Sequence, residues 1–345
     1  MNCSNYPKIS IMIPTYNRSY YLVEAIESAL NQDYPNFEVI VSDNYSTDDT
    51  ERVVRKYLLD PRFRYYCNEA NLGSGPNYRK LLYEYANGQF GHFLADDDYF
   101  IDSKHLTKAI SIIKKYGVKV VFSGAESRYH NDKVGRTLSL GLNEVVSREW
   151  WLRNLCRTIG GLTIFPSCGS GTLFEISKAK DFHAFVGQPY GDYEFALKCI
   201  LYYPKVGYIR EPQYVERRHE KQDGRTSFQN AFQGTLIFNH IYDFGCELKI
   251  NPQILKKIRL RGLRYFTRGF LLHNWILEKG NSLSSFINFL RELKKIDQIL
   301  PWITLFDINA IIQFAFYGSI TYEALKRIYL NYRSWRINKK LSELI

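Results

Sequence analysis

The first half of the chain alternates short apolar runs with segments whose apolar residues recur at helical spacing. The runs predict buried strands at 8–14, 37–43, 62–67, 89–95 and 118–124. The segments between them predict helices at 18–31, 50–59, 76–86 and 103–116. Because strands and helices alternate, we expect an α/β fold with a mostly parallel sheet covered by helices on both faces.

The second half of the chain is less regular. Residues 125–220 combine two predicted helices, at 147–156 and 192–202, with a Gly/Ser-rich loop at 167–172. From residue 225 onward the pattern is helical, and a boundary at 222–225 separates the two regions. We therefore expect a domain over 1–224 and a helical C-terminal region over 225–345. The domain itself divides into two halves, 1–124 and 125–224.

Composition and charge narrow the class of protein. Hydrophobic residues make up 45% of the chain and charged residues 23%, which is typical of a folded protein rather than a disordered one. The net charge of +11 favours phosphate-bearing partners without choosing among them. None of the six cysteines is paired in a C-x-x-C spacing, which argues against a zinc or redox motif and fits a reducing compartment.

The sequence shows no pattern that is typical of a targeting signal or of a membrane-spanning helix. The N-terminal residues lack the apolar core of a signal peptide, and no stretch reaches the ~18 apolar residues of a membrane span. Residues 308–320 come nearest and are too short. We expect a cytoplasmic protein, free or peripheral at the inner face of the membrane.

Three consecutive acids follow the fourth predicted strand. Asp96, Asp97 and Asp98 would repel one another, and the end of an apolar strand would partly desolvate them. A positive charge is therefore expected beside them, and dense carboxylate oxygens suit Mg²⁺ or Mn²⁺. The alternative is a solvated acidic turn that caps the next helix. The cluster alone does not decide between these two interpretations.

Polar residues also end the other early strands. Thr15 and Asn17 follow the first strand, Asp43 ends the second and Asn71 follows the third. A carboxylate such as Asp43 can only accept hydrogen bonds, so it would suit a base N–H, while Thr15 and Asn71 could contact a ribose or a base. Asn17 could instead cap a helix, and Asn71 could simply form a turn. Their expected convergence on one sheet edge, where ligands of such folds bind, favours a site.

Four motifs in this order resemble family 2 glycosyltransferases, which have the GT-A fold. They are ISIMIPTYNR, FEVIVSDNYSTDDT, NEANLG and FLADDDY, and the resemblance covers about residues 8–222. It implies that the nucleoside is held by Pro14, Thr15, Tyr16, Asn17, Asp43, Asn71 and Gly73. It implies that the acidic motif holds a metal and the donor diphosphate. Ala95 replaces the usual first acid, so we assign Asp97 and Asp98 to the metal and Asp96 to the ribose.

The same resemblance suggests the rest of the active site. Asp192 matches the acid that deprotonates the acceptor hydroxyl, although Gly191 replaces the usual glutamate before it. Glu194 is the alternative base, and Asp192 could be only a helix cap. In the segment at 206–222, Arg218 is expected to contact the diphosphate and His219 to bind the metal, unless both are ordinary surface residues.

These features predict an inverting glycosyltransferase that uses Mn²⁺ or Mg²⁺. The donor would be a nucleotide sugar, with UDP favoured because of Asp43, and the acceptor a hydroxyl of a saccharide or lipid-linked molecule in cell-surface glycan synthesis. A nucleotidyltransferase is the nearest alternative, although the loop after strand one lacks the glycines that it would need. A nucleic-acid-binding protein would fit the charge but leaves Asp96, Asp97 and Asp98 unexplained, so we expect no nucleic acid partner.

The C-terminal region carries two basic amphipathic stretches, at 249–268 and 321–340. The first contains seven Lys or Arg residues and no acid. Such stretches could lie on an anionic membrane surface near a lipid-linked acceptor. Ordinary helical packing with solvated basic faces is the alternative.

Overall fold

The structure, a computed structural model, describes residues 6–129, 134–159, 162–163, 165–166, 169–185, 191–218, 228–267, 283–296, 298 and 301. The chain divides into two compact units. The first contains residues 1–151 and 166–220, and the second contains residues 152–165 and 221–345.

The first unit is built on a twisted sheet with helices against it. Its strands are β1 (Ile9–Thr15), β2 (Phe37–Asp43), β3 (Phe63–Cys67), β4 (Phe90–Phe93), β5 (Tyr99–Phe100), β6 (Val120–Tyr129), β7 (Val134–Leu138), β8 (Val145–Ser147), β11 (Thr172–Glu175) and β12 (Lys205–Arg218). Its helices are α1 (Ser19–Leu30), α2 (Thr50–Val54), α3 (Ser74–Lys80), α4 (His105–Tyr116), α5 (Arg148–Asn154), α6 (Ile176–Asp181) and α7 (Gly191–Tyr202), and α5 continues into the second unit.

The strand order in the sheet is β3-β2-β1-β4-β11-β6-β12-β5, with β7 beside β6 and β8 beside β12. The first four strands are parallel, as expected. Strand β11 then inserts antiparallel between β4 and β6, and the short strands β5, β7 and β8 also pair antiparallel. The expected parallel arrangement therefore holds for β1 to β4, and the strands that follow them along the chain make the sheet mixed.

The core lies where the apolar periodicity of the sequence placed it. Strands β1 and β2 are buried along their whole length because helices cover both faces of the sheet. Helix α1 buries Leu22, Ala25, Ile26 and Ala29, which are the residues whose spacing predicted it. The alternation of strand and helix thus fixes which edge of the sheet carries the polar strand ends.

Two predicted helices are broken in the structure. The segment 50–59 is α2 followed by a 3₁₀ turn at Arg55–Leu59, and 76–86 is α3 followed by a π-helical turn at Leu81–Tyr85. Strands β11 and β12 lie where we predicted a loop and an unclassified segment. Both strands complete the sheet beyond β4, so they bring the second half of the chain to the polar edge.

In the part of the second unit that the structure describes lie the short strands β9 (Thr158–Ile159) and β10 (Leu162–Thr163) and the helices α8 (Phe228–Glu247), α9 (Pro252–Phe266) and α10 (Leu283–Ile296). The apolar face of α9 packs on α8, where the rings of Phe238 and Phe266 lie 5.5 Å apart. The basic segment predicted at 249–268 is therefore largely helical with a covered apolar face, and the segment at 321–340 lies outside the described residues. Among the helices the structure describes, none is long and apolar enough to cross a membrane.

Candidate active site

The polar residues that follow strands β1, β2 and β4 come together at one edge of the sheet. The parallel register places Thr15 beside Asp43, and the Asn44 amide donates to the Thr15 carbonyl oxygen (2.9 Å). The Thr15 hydroxyl in turn donates to Asp96 Oδ2 (2.8 Å). The strand ends that the sequence predicted to converge are thus joined by hydrogen bonds across three strands.

Arg18 supplies positive charge to the acidic cluster. Its Nη1 atom lies 2.9 Å from Asp96 Oδ1 and 3.2 Å from Asp97 Oδ2. All three acids of the cluster are less than 8% exposed, and burial raises the pKa of Asp96 to about 6 although the Arg18 charge opposes that rise. The positive charge expected from the sequence is therefore present, and it comes from the loop after β1.

Asp98 is held separately from its two neighbours. Its Oδ2 atom accepts a hydrogen bond from the Ser170 hydroxyl (2.6 Å), and its Oδ1 atom accepts one from the Arg217 backbone N–H (3.1 Å). Burial, followed by the charges of Asp97 and Glu216, raises the pKa of Asp98 well above its usual range. This carboxylate is therefore the member of the cluster whose charge is least compensated in the described site.

Asp43 lies buried at the end of β2. Its Oδ1 atom accepts a hydrogen bond from the Ser46 backbone N–H (2.9 Å), and its Oδ2 atom accepts one from the Tyr65 hydroxyl (2.7 Å). Each carboxylate oxygen has a second lone pair, so these bonds fix the orientation of Asp43 and leave it able to accept from a ligand.

The loop after β1 is braced against the loop after β2. Asn17 has a left-handed backbone (φ 51°), its side-chain oxygen accepts from the Thr47 N–H (2.7 Å), and its own N–H donates to the Ser46 hydroxyl (2.8 Å). Pro14 is a buried residue of β1, whereas the neighbouring Tyr16 is exposed. Of the predicted nucleoside contacts in this loop, Pro14 and Thr15 are therefore buried, whereas Tyr16 and Asn17 are accessible.

The loop after β3 is held by an asparagine. The Asn44 side chain donates to Asn71 Oδ1 (2.8 Å) and accepts from the Leu72 N–H (2.9 Å). Gly73 has φ +85°, and no atom would lie within 4 Å of a Cβ placed there. The positive φ favours glycine at this position, and the open space leaves room for a ligand.

Asp192 lies in the first turn of α7. A Cβ placed on Gly169 would lie 3.5 Å from Asp192 Oδ2, so this carboxylate borders the same turn, Gly169–Gly171, whose Ser170 binds Asp98. Burial raises the pKa of Asp192 to about 6, opposed by the Tyr193 backbone N–H and increased by the charge of Glu216. The structure thus brings Asp192 and Asp98 to the same short turn.

Glu194, the alternative base, differs from Asp192 in its surroundings. Its Oε1 atom lies 2.8 Å from Lys198 Nζ, one turn further along α7. The Glu194 carboxylate is therefore already engaged in an ion pair, whereas Asp192 forms no ion pair within the described residues. The environment of the two acids therefore favours Asp192 as the base.

The end of β12 adds charged residues to the same edge. The Arg218 guanidinium donates to the Ser127 hydroxyl (3.2 Å) and lies 2.7 Å from Glu216 Oε1. His219, the predicted metal ligand, lies outside the described residues. Arg218 is thus placed at the end of the strand whose backbone binds Asp98.

Four residues of this site were missed by the sequence analysis. Ser170 belongs to a Gly/Ser-rich loop that the sequence did flag, and Arg18 ends the motif PTYNR, which should have suggested it as the partner of the acids. Glu216 and Tyr78 carry no local signal, since their place near Asp192 follows from the sheet order and from ring packing.

The donor atoms of the site suit a divalent cation. Within the described residues, no group of three or more His, Cys, Asp or Glu side chains is arranged to hold a metal by itself. Mg²⁺, however, is commonly bound through one or two carboxylates together with substrate phosphates, so a full protein cage is not required. The surplus of buried carboxylate charge around Asp98 fits such an ion, and the carboxylates of Asp97 and Asp98 are of the right type to hold it.

The fold is that of the GT-A glycosyltransferases. It is similar to the crystal structure of Staphylococcus aureus TarS 1–349 in complex with UDP-GlcNAc, with a TM-score of 0.68 at 19% identity, covering 86% of this chain and 83% of that one. It is also similar to the mannosyltransferase PcManGT from Pyrobaculum calidifontis in complex with GDP-Man and Mn²⁺, with a TM-score of 0.54 at 16% identity, covering 98% and 87% of the two chains.

Residues 10–179 match the family described as Glycosyl transferase family 2, and the chain belongs to that family. It is 45% identical over 94 residues to GalNAc(5)-diNAcBac-PP-undecaprenol beta-1,3-glucosyltransferase of Campylobacter jejuni, covering 27% of this chain and 30% of that protein. It is 33% identical over 128 residues to UDP-Glc:alpha-D-GlcNAc-diphosphoundecaprenol beta-1,3-glucosyltransferase WfgD of Escherichia coli, covering 37% and 49%. The chain thus spans less than half the length of either relative.

Proposed function

We propose that this chain transfers a sugar from a nucleoside diphosphate donor to an acceptor hydroxyl with inversion at the anomeric carbon. The observation that carries this proposal is the placement of Asp192, whose carboxylate borders the same turn, Gly169–Gly171, that binds Asp98 through Ser170. A donor diphosphate beside the acidic cluster would bring the reacting sugar close to a base that borders the same turn.

The donor is proposed to be a UDP-sugar. The TarS structure contains UDP-GlcNAc, and the name of WfgD specifies UDP-Glc. Asp43 supports a uracil at the end of β2, because a carboxylate oriented by Ser46 and Tyr65 can accept the hydrogen bond of a base N–H. Thr15, Tyr16, Asn17 and Asn71 would then line the nucleoside side of the pocket, with Asp96 at the ribose.

In the proposed reaction, Asp192 removes the proton of the acceptor hydroxyl as this oxygen attacks the anomeric carbon. A general base works best when its pKa lies close to the working pH, and burial places the pKa of Asp192 at about 6. Attack from the side opposite the diphosphate inverts the anomeric configuration. The bond that breaks joins the anomeric carbon to the phosphate oxygen, and its electron pair leaves with the diphosphate.

Mn²⁺ or Mg²⁺ is proposed to be held by Asp97 and Asp98, with His219 as a further candidate ligand. When bound, such an ion would neutralise charge on the leaving diphosphate. Arg218, at the end of β12, would add a guanidinium to the same group. Arg18 keeps Asp96 and Asp97 oriented from the opposite side.

The decisive experiment compares Asp192→Asn with Glu194→Gln. We expect Asp192→Asn to retain UDP binding and to lose transfer, because it removes the base and keeps the size of the side chain. Glu194→Gln, in the same helix, should retain most of the activity. The assay is release of UDP from a panel of UDP-sugars with saccharide and lipid-linked acceptors, and NMR of the product gives the anomeric configuration. Normal turnover by Asp192→Asn would disprove its role.

A screen with nucleoside diphosphates tests the donor and the metal together. We expect UDP to raise the thermal midpoint of the protein, and Mn²⁺ to increase that effect. A larger thermal shift with GDP than with UDP would overturn the assignment of uracil as the nucleobase of the donor. Identical shifts with and without Mn²⁺ would overturn the proposal that a metal ion is bound with the diphosphate.

The acceptor is proposed to be a lipid-linked or polymeric glycan of the cell surface. The C. jejuni and E. coli relatives both carry undecaprenol-linked substrates in their names. We further propose residues 1–224 as the transferase domain and the helical region 225–345 as a peripheral contact with the inner face of the membrane. The basic residues of α9, which include Lys256, Lys257 and Arg264, would supply that contact. Co-sedimentation with anionic vesicles at low salt should detect it, and no binding there would exclude it.

A further inference from the structure

Tyr78 is an aromatic residue of the site that the proposed mechanism does not use. It lies in α3, which begins directly after the loop of Asn71 and Gly73. Its ring stacks on Phe185, with centroids 5.6 Å apart and an interplanar angle of 8°, and also packs on Phe93 at 5.0 Å. Phe93 and Phe185 themselves lie 4.5 Å apart, so the tyrosine ring is fixed by two aromatic neighbours.

Both of these aromatic neighbours lie close to acids of the site, Phe93 along the chain and Phe185 through its packing. Phe93 is the last residue of β4, three residues before Asp96. The backbone of Phe185 packs against Gly191, where an added Cβ would lie 3.2 Å from the Phe185 Cα, and Asp192 is the next residue. The packing therefore holds Tyr78 between the acidic cluster on one side and the proposed base on the other.

The charges around the hydroxyl agree with this placement. Burial, followed by the charges of Asp192, Asp96, Asp97 and Asp98, raises the pKa of Tyr78 well above its usual range. The phenol is therefore neutral at any physiological pH and carries an O–H donor. Within the described part of the chain, the hydroxyl forms no hydrogen bond, although four carboxylates are close enough to influence it.

This arrangement leaves a neutral donor in a site otherwise crowded with acceptors. Tyr78 is half-buried, so its hydroxyl can donate to an acceptor oxygen of a ligand in place of water. Among the parts of a nucleotide sugar, the diphosphate offers the strongest acceptors, because its oxygens are charged.

We propose that the Tyr78 hydroxyl donates a hydrogen bond to a phosphate oxygen of the bound nucleoside diphosphate. This inference rests on the proposed function, since it requires the diphosphate to lie at the acidic cluster. A lysine or arginine at this position would form ion pairs with the surrounding carboxylates. The neutral tyrosine hydroxyl forms no such ion pair and can donate to the phosphate.

The test is calorimetric binding of UDP and of uridine, in the presence of Mn²⁺, to wild type, Tyr78→Phe and Tyr83→Phe. Tyr78→Phe removes the hydroxyl and keeps the ring between Phe93 and Phe185. Tyr83→Phe is the matched control, because that hydroxyl lies near the carbonyl oxygens of Lys180 and Ala184 instead. Equal thermal midpoints for the three proteins would show that packing is unchanged.

We expect Tyr78→Phe to weaken UDP binding by roughly tenfold or more, which is the effect of losing one hydrogen bond to a charged oxygen. Uridine binding and the Tyr83→Phe control should not change. Equal UDP affinity in wild type and Tyr78→Phe would overturn the inference and leave the proposed function standing. A loss seen only with UDP-glucose or UDP-N-acetylglucosamine would place the hydroxyl at the sugar and overturn the phosphate assignment. If wild type binds no nucleoside diphosphate, both the proposed function and this inference fail.

Discussion

Replacing Arg18 by methionine tests the charge balance of the acidic cluster. Arg18 Nη1 contacts both Asp96 and Asp97, and its side chain is 19% exposed whereas the two carboxylates are 5% and 6% exposed. Methionine keeps much of the apolar stem and removes the guanidinium. The variant therefore leaves two buried carboxylates without the cation that the described structure places between them.

The size of the effect follows from the burial of the partners. Removing one member of a buried ion pair costs about 3–5 kcal/mol, and the partial exposure of Arg18 places the expected loss near the lower limit, about 3 kcal/mol at pH 8. The loss should shrink at low pH. The pKa of Asp96 is already raised to about 6 with Arg18 present, and loss of that positive charge raises it further. A carboxyl with a raised pKa in the folded state stabilises the protein at low pH, and this contribution disappears as the pH rises through that pKa.

The assay is urea unfolding of wild type and Arg18→Met at pH 5 and pH 8, without added metal. Arg52→Met is the control, because Arg52 and its partner Asp49 are 72% and 63% exposed, and water screens such exposed pairs so that they add little stability. We expect a large loss for Arg18→Met at pH 8, a smaller one at pH 5, and almost none for the control. If Arg18→Met is as stable as wild type at pH 8, or loses the same amount at both values of pH, the argument about buried charge is refuted.

Three further predictions concern other parts of the chain. The pKa of Asp192, about 6, predicts that kcat/KM falls as the pH drops through 6, because only the carboxylate acts as base, and a flat pH–rate profile would contradict this. Burial lowers the pKa of His105 to about 4, so the contribution of His105 to the free energy of unfolding should fall by about 3 kcal/mol as the pH drops from 6.5 to 4. In urea titrations His105→Leu should therefore lose less stability than wild type over that range, with buried His92 supplying a remaining slope. Gly262→Ala should destabilise the second unit by about 1–3 kcal/mol, because the new methyl group would overlap the Phe238 ring. Gly75→Ala, with open space at its Cβ, should leave the thermal midpoint unchanged or slightly raised.

The sequence predicted the first four strands because each is a short run of mainly apolar or aromatic residues. Strands β1, β2 and β4 are fully buried, whereas β3, at the edge of the sheet, is only partly buried. It missed β12, since that strand carries charged residues along Lys205–Arg218 and is interrupted near Pro212, where the pairing with β6 shifts register. It missed β11 because four residues after a Gly/Ser-rich loop give no periodicity to detect. The sequence pattern therefore predicts β1 to β4, whose residues are mainly apolar or aromatic, and it does not predict β11 and β12.

A similar division holds within the site. Asp96, Asp97 and Asp98 are adjacent in sequence, so their mutual repulsion and their need for positive charge could be predicted directly. The contact of Ser170 with Asp98 joins residues 72 positions apart, and the contact of Arg217 with Asp98 joins residues 119 positions apart. Such contacts depend on the order of strands in the sheet, which no local pattern specifies.

The same sheet order also determines how Asp98 is held. Inserting β11 between β4 and β6 places the turn of Ser170 directly against Asp98, and pairing β12 with β6 brings the Arg217 backbone to the same carboxylate. These contacts orient Asp98 without neutralising it, whereas Arg18 neutralises only the side of the cluster that faces Asp96 and Asp97. Burial of uncompensated charge lowers stability, so its retention at this sheet edge supports our proposal that a cation bound together with the donor completes the site.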